Sequence, residues 1–159
     1  MFPPIASRIT QIGRHVLMAG LVTVIAAPVA AAQPQDVVIQ AHTELGCPGP
    51  ASCIFVVTGA IVDGGTVTTD SVQATALPSP TVGTAQYVKT FHGLAGSLTI
   101  LLNSMITGTD DPTLWDEQGH WVIVSGTGEY AKLLGQGSEA GVRDFASQSL
   151  DAVYSGRVH

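Results

Sequence analysis

The residues able to do chemistry are few in this chain, and most stand apart from one another. His42 and Glu44 are two positions apart in a segment of alternating polarity, so one strand would project both from the same face. An imidazole beside a carboxylate makes an acid–base pair if both reach one cavity. Histidines on a solvated face are the commoner arrangement. These two are the candidate catalytic residues. His92 closes a later β-rich run and His120 precedes Trp121.

Asp110, Asp111, Asp116 and Glu117 gather in what reads as one polar loop from Gly108 to Gly119. Carboxylate oxygens suit Ca²⁺, but the ligand order of a calcium loop is missing, and clustered like charges favour a solvated loop. Gly126, Gly128 and Ala131 match a loose dinucleotide fingerprint. That chemistry needs a parallel βαβ unit, which the surrounding sequence does not offer. No nucleophile elbow and no Cys–His pattern is present. Neither a metal site nor a cofactor is predicted. Aromatic side chains remain: Tyr87, Phe91, Trp115 and Tyr130 are the candidate ligand contacts, with core packing as the competing explanation.

The elements that must position these residues follow from pattern. Residues 1–32 carry Arg8 and Arg14 ahead of an apolar run, Val16 to Ala27, broken by Pro28 and followed by Ala30-Ala31-Ala32. The run is shorter than the about 20 residues a bilayer span needs, and it has the form of a cleaved export signal. Cleavage is placed after Ala32, leaving 33–159 as one domain in the periplasm or medium. All 12 acidic residues lie in that part, with only Lys89, Lys132, Arg143 and Arg157 against them. Scattered cations on an acidic body make nucleic acid and anionic membrane surfaces poor partners. Cys47 and Cys53 flank a Pro-Gly-Pro turn, and an even count in an exported chain reads as a disulfide.

Val37, Ile39, Ala41, Thr43 and Leu45 alternate with Val38, Gln40, His42 and Glu44. Further β-rich runs are Cys53–Val62, Thr66–Ala76, Gln86–His92, Ser97–Thr107 and Trp121–Ser125, with weaker ones at Gly137–Val142 and Ala152–Val158. Leu77 to Thr84 holds two prolines and is predicted to lie outside any central strand. Tyr130 to Leu134 reads as one helical turn. About eight short strands with short connections predict an all-β fold, a single antiparallel barrel.

The segment from Trp121 through Gly126, Gly128, Tyr130, Leu133, Gly135 and Gly137 resembles a pattern in the allene oxide cyclase and dirigent barrel superfamily, including its small exported bacterial proteins. In that pattern a late strand ends in a glycine-rich turn, an aromatic packs under the barrel, and G-x-G starts the next strand. The resemblance implies an eight-stranded barrel around an apolar cavity, with these glycines structural. The interior glutamate of the cyclases and the interior acid and arginine of the dirigent proteins have no motif match here. The leading expectation is therefore an exported barrel that binds a small apolar molecule without covalent chemistry. A cyclase or isomerase using the same cavity is the alternative, and a structural or self-associating surface module the second. An open cavity holding an isolated carboxylate or histidine would favour the enzyme.

Overall fold

A computed structural model describes residues 33–159 other than 48, 50 and 77–80; the predicted export signal lies outside the described residues. Eight strands run in order: β1 (Gln35–Glu44), β2 (Cys53–Gly59), β3 (Asp63–Ala76), β4 (Val82–Gly93), β5 (Ser97–Gly108), β6 (Leu114–Gly126), β7 (Gly135–Asp144) and β8 (Ser149–Val158). Each pairs antiparallel with the next, and β8 returns to β1, so the sheet closes into an up-and-down barrel. One 3₁₀ turn, η1 (Gly128–Tyr130), separates β6 from β7.

Alternation decides what fills the barrel. Val37, Ile39 and Ala41 of β1 point inward, as do Phe55 and Val57 of β2 and Leu98, Ile100 and Leu102 of β5. Phe91 meets Phe55 and Tyr154 edge to face, with ring centroids 5.2 and 5.6 Å away. Each fully buried side chain of this kind contributes about 2–3 kcal/mol of transfer free energy.

The two ends of the barrel differ. At one end η1 folds across the opening and Tyr130 packs beneath it, 6% exposed. The hydroxyl of Tyr130 donates to Asp63, which also accepts from the backbone N–H groups of Gly64, Leu94 and Ala95. These bonds hold the Asp63 carboxyl at about 2, the Tyr130 hydroxyl first among them. Gly128 has φ +59°, and a Cβ there would run into the Ala95 carbonyl, so the turn requires glycine. Gly126 closes β6, and Gly135 and Gly137 pair with Val158 and Gly156 of β8.

At the other end lie the β1–β2, β3–β4, β5–β6 and β7–β8 connections. Cys47 and Cys53 are bonded in the first of these. Pairing of β2 with β3 stops at Ile54–Thr66, while β3 runs on to Ala76 alongside β4. The wall therefore parts between the Cys loop and the second half of β3.

The helical turn predicted at Tyr130–Leu134 is η1 at Gly128–Tyr130. Several strands start or stop a few residues from the predicted runs, and two of the shifted boundaries bear on the open end. The polar loop predicted at Gly108–Gly119 is only 109–113, because β6 already begins at Leu114. Asp116 and Glu117 are thus strand residues, one outward and one inward. Likewise Val82–Thr84 open β4 rather than extend the proline loop.

Candidate functional site

The parted wall opens on a cleft of about 550 Å³, bounded by the Cys47–Cys53 loop, by Val67 and Val72 of β3, and by Leu150 of β8. Its floor is charged. Tyr87 and Lys89 of β4 and Arg143 of β7 face it from inside the barrel. Behind them lie Glu117 of β6, 0% exposed, and Glu139 of β7, 3% exposed.

Strand parity brings these groups together. On β4 the inward residues are Ala85, Tyr87, Lys89 and Phe91. On β6 they run Glu117, Gly119, Trp121 and Ile123, and on β7 they are Gly135, Gly137, Glu139, Gly141 and Arg143. Arg143 donates to Glu117 at 2.8 Å and to the Tyr87 hydroxyl at 3.3 Å. Ser104 of β5 donates to Glu139 at 3.1 Å. Between them in register lies Gly119, where a Cβ would stand 2.7 Å from both the Ser104 hydroxyl and the Asn103 carbonyl. Its missing side chain leaves the channel through which serine reaches the glutamate.

Lys89 is arranged differently from Arg143. It is 3% exposed and makes no hydrogen bond or ion pair among the described residues. Its Nζ stands 5.4 Å from the centre of the Tyr87 ring and 5.9 Å from that of Tyr154. Burial lowers its affinity for a proton, while Glu117 and Glu139 oppose that shift in part. Burial, followed by repulsion from Glu117, pushes Glu139 up to about 7. The Tyr87 hydroxyl is pushed up to about 12 by burial and then by Glu117. Burial and the two glutamates raise Tyr154 as well.

Burial works against the Arg143 charge, but Glu117 outweighs it and the guanidinium is held more firmly protonated. Among the described residues four buried polar atoms have no hydrogen-bond partner: Oε1 of Glu117, Oε1 of Glu139, Nε of Arg143 and the Tyr154 hydroxyl. Unsatisfied groups at such a density, beneath an opening, are a surface prepared for a polar ligand or for water. Glu139, held at about 7, can exchange a proton with a bound molecule near neutral pH, with Lys89 close enough to feel its charge.

The candidates drawn from sequence are dispersed. His42 and Glu44 lie on the outer face of β1, opposite in parity to Val37, Ile39 and Ala41. His42 bonds Asp151 at 2.7 Å, and that bond raises its pKa; Glu44 is 3.7 Å away. Of the aromatics, Tyr87 lines the cleft. Phe91 and Tyr130 instead line a residual void of about 20 Å³ in the apolar half. Trp115 stands at the rim of the open end, edge-on to Phe145 at 5.8 Å. The apolar half is therefore filled, and the open half is floored by charge where an apolar cavity was predicted. Among the described residues no group of three or more His, Cys, Asp and Glu is placed to hold a metal ion. The four central residues, Lys89, Glu117, Glu139 and Arg143, were not singled out as a site from sequence. The one available signal was period two running back from Trp121 through Gly119 to Glu117.

No protein-family model, no curated protein and no solved structure matches this chain.

Proposed function

We propose that this barrel binds a small amphiphilic molecule in the cleft, with its polar group on Tyr87, Lys89 and Arg143 and its apolar part against Val67, Val72 and Leu150. The observation that carries the reading is the buried, charged floor beneath an opening in the barrel wall. An eight-stranded barrel has room either to be filled or to hold one small ligand. Here the apolar half is filled, and the open half has the room. The ligand is thus more polar at one end than the purely apolar molecule first expected.

The same floor suits proton transfer, which favours a second reading, a cyclase or isomerase. Its support is Glu139, which titrates near neutrality and keeps one oxygen unpartnered. Membership of the allene oxide cyclase and dirigent superfamily is proposed alongside. It rests on the Trp121–Gly137 segment, and the closed eight-stranded barrel is the fold that resemblance implies. Export to the periplasm or medium is also part of the reading. The Cys47–Cys53 bond supports an oxidising compartment.

Binding is tested with anilinonaphthalene sulfonate, which has an apolar body and an anionic group. Saturable binding at about one site per chain is expected. Val72→Trp, which fills the cleft from an exposed rim position, should abolish it. A folded protein without saturable binding removes the reading.

A further inference from the structure

We propose that Lys89 captures carbonyl compounds covalently, condensing with an aldehyde or ketone in the cleft to form a protonated imine, with Glu139 supplying the proton that carries off water. The inference rests on the reading of the cleft as a ligand site and names the chemical class that site takes.

The geometry separates two cations that elementary electrostatics would treat alike. Arg143 lies on Glu117 in a direct ion pair and serves as its counter-charge. Lys89 has no such partner; its amine faces two phenol rings and the cleft. Buried lysines are ordinarily paired. Burial without an ion-pair partner draws the Lys89 amine toward its neutral form, against the opposing pull of Glu117 and Glu139, and the neutral amine is the nucleophile. Tyr87, two positions away on the same inward face, accepts a hydrogen bond from Arg143. Its own hydroxyl proton faces Glu117, so Tyr87 keeps that proton and stands as a neutral phenol at the cleft. Glu139, on the far side of the cluster, has an unpartnered oxygen and retains its proton near neutral pH. The other ionisable groups of the cluster are Glu117, Arg143 and Tyr154.

The step balances without an oxidant or reductant. The Lys89 nitrogen lone pair forms a bond to the carbonyl carbon, and the carbonyl π pair moves to oxygen. One N–H proton passes to that oxygen, giving a neutral carbinolamine. The nitrogen lone pair then expels the hydroxyl group, which takes the Glu139 proton and leaves as water. A neutral amine and a carboxylic acid have become an iminium cation and a carboxylate, so net charge is unchanged. The cation is formed within the electrostatic reach of the Glu139 carboxylate, which offsets its charge. Addition of water reverses each step.

The chain carries an internal reference, because its only two lysines are buried Lys89 and exposed Lys132. The purified protein is treated at pH 7 with cinnamaldehyde and cyanoborohydride, which fixes an imine as a stable amine, and adducts are mapped by peptide mass. Lys89 should be labelled faster than Lys132, by roughly tenfold for each unit by which its pKa is lowered. Lys89→Met should remove that adduct and leave the one at Lys132. Glu139→Gln should slow labelling at Lys89 several-fold and leave Lys132 unchanged; this variant decides the matter if Lys89→Met fails to fold. Binding of cinnamyl alcohol, which has no carbonyl, is measured in parallel by chemical-shift changes at the cleft. Alcohol binding with no preference for Lys89 over Lys132 overturns the capture step alone. Absence of both overturns the cleft as a ligand site.

Discussion

The two halves of the barrel are built from the same strands and obey opposite rules. Toward η1 the inward residues are Phe91, Phe55, Trp121, Ile123 and Val158, packed down to a void of about 20 Å³ and latched by Tyr130 on Asp63. Toward the Cys loop, on inward positions of β4, β6 and β7, stand Lys89, Glu117, Glu139 and Arg143. On β4 the change from one regime to the other takes a single step, from Phe91 to Lys89. The closed half supplies enough apolar burial to hold the cylinder together. The open half is thereby released from packing and carries groups that cost stability. Such a division is expected where a site is supported by a rigid scaffold.

Truncation in the two halves should therefore differ most. Phe91→Ala removes a ring that contacts both Phe55 and Tyr154, and should destabilise by about 3–5 kcal/mol, read by denaturant unfolding. Lys89→Met, one inward position away, removes a buried cation with no ion-pair partner and should be neutral or stabilising. If the lysine variant were the more damaging, the charged floor would be a structural element of the barrel and the comparison would fail.

A pH titration sharpens the contrast next. Glu139 is held at about 7, above its unfolded value, so the native state keeps a proton that the unfolded chain releases. The stabilising contribution of Glu139 should therefore be fully present below its unfolded pKa of about 4.5 and be lost as pH rises through about 7. His42, raised through Asp151, slopes the same way over a window beginning at its unfolded value. The informative quantity is thus the difference between wild type and Glu139→Gln. The variant should gain relative to wild type across this window, by at most about 3 kcal/mol. A difference that does not change with pH would place the Glu139 carboxyl in solvent rather than in the cluster.

The rim of the cleft comes third. The Cys47–Cys53 bond closes a short loop, and Cys47→Ser should cost about 2 kcal/mol through the unfolded chain. Because that loop borders the cleft, the variant should also weaken probe binding, whereas substitutions at the closed end should not. Unchanged affinity after loss of the bond would move the ligand away from this side of the opening.

Much of the architecture was legible because one periodicity and a few punctuating residues determine it. The alternation Val37–Ile39–Ala41 assigns β1 its inner face, and the same parity assigns His42 to the outer one. The glycine-rich stretch after Trp121 marks the turn that closes the barrel. The site was harder to see for a physical reason. The inward face of β7 is Gly135, Gly137, Glu139, Gly141 and Arg143, which has no large apolar side chain. Hydrophobic alternation therefore vanishes in the strand that contributes most to the cluster. Glu117 was hidden differently, since its neighbours Asp110, Asp111 and Asp116 make the stretch read as a solvated loop. A buried carboxylate and a solvated one have the same sequence letter; only the pairing of Glu117 with Gly141, across the closed sheet, distinguishes them.

The smallest effect belongs to the latch at the closed end. Tyr130→Phe keeps the buried ring and deletes only the hydroxyl that donates to Asp63. The carboxylate still accepts from the N–H groups of Gly64, Leu94 and Ala95, so no group is left unsatisfied. The cost should be about 1 kcal/mol, the ordinary net value of one hydrogen bond. It should also depend on pH in a defined direction. Asp63 is depressed to about 2, with the Tyr130 bond as the leading cause, so its contribution is present above the unfolded carboxylate range and is lost as pH falls through about 2. Melting temperatures of wild type and variant should then differ at pH 6 and converge toward pH 2. Probe affinity per folded molecule should not change, because the latch and the cleft are at opposite ends of the cylinder. A loss of binding in Tyr130→Phe would mean that the two halves are coupled, and that the filled half sets the shape of the open one rather than merely supporting it.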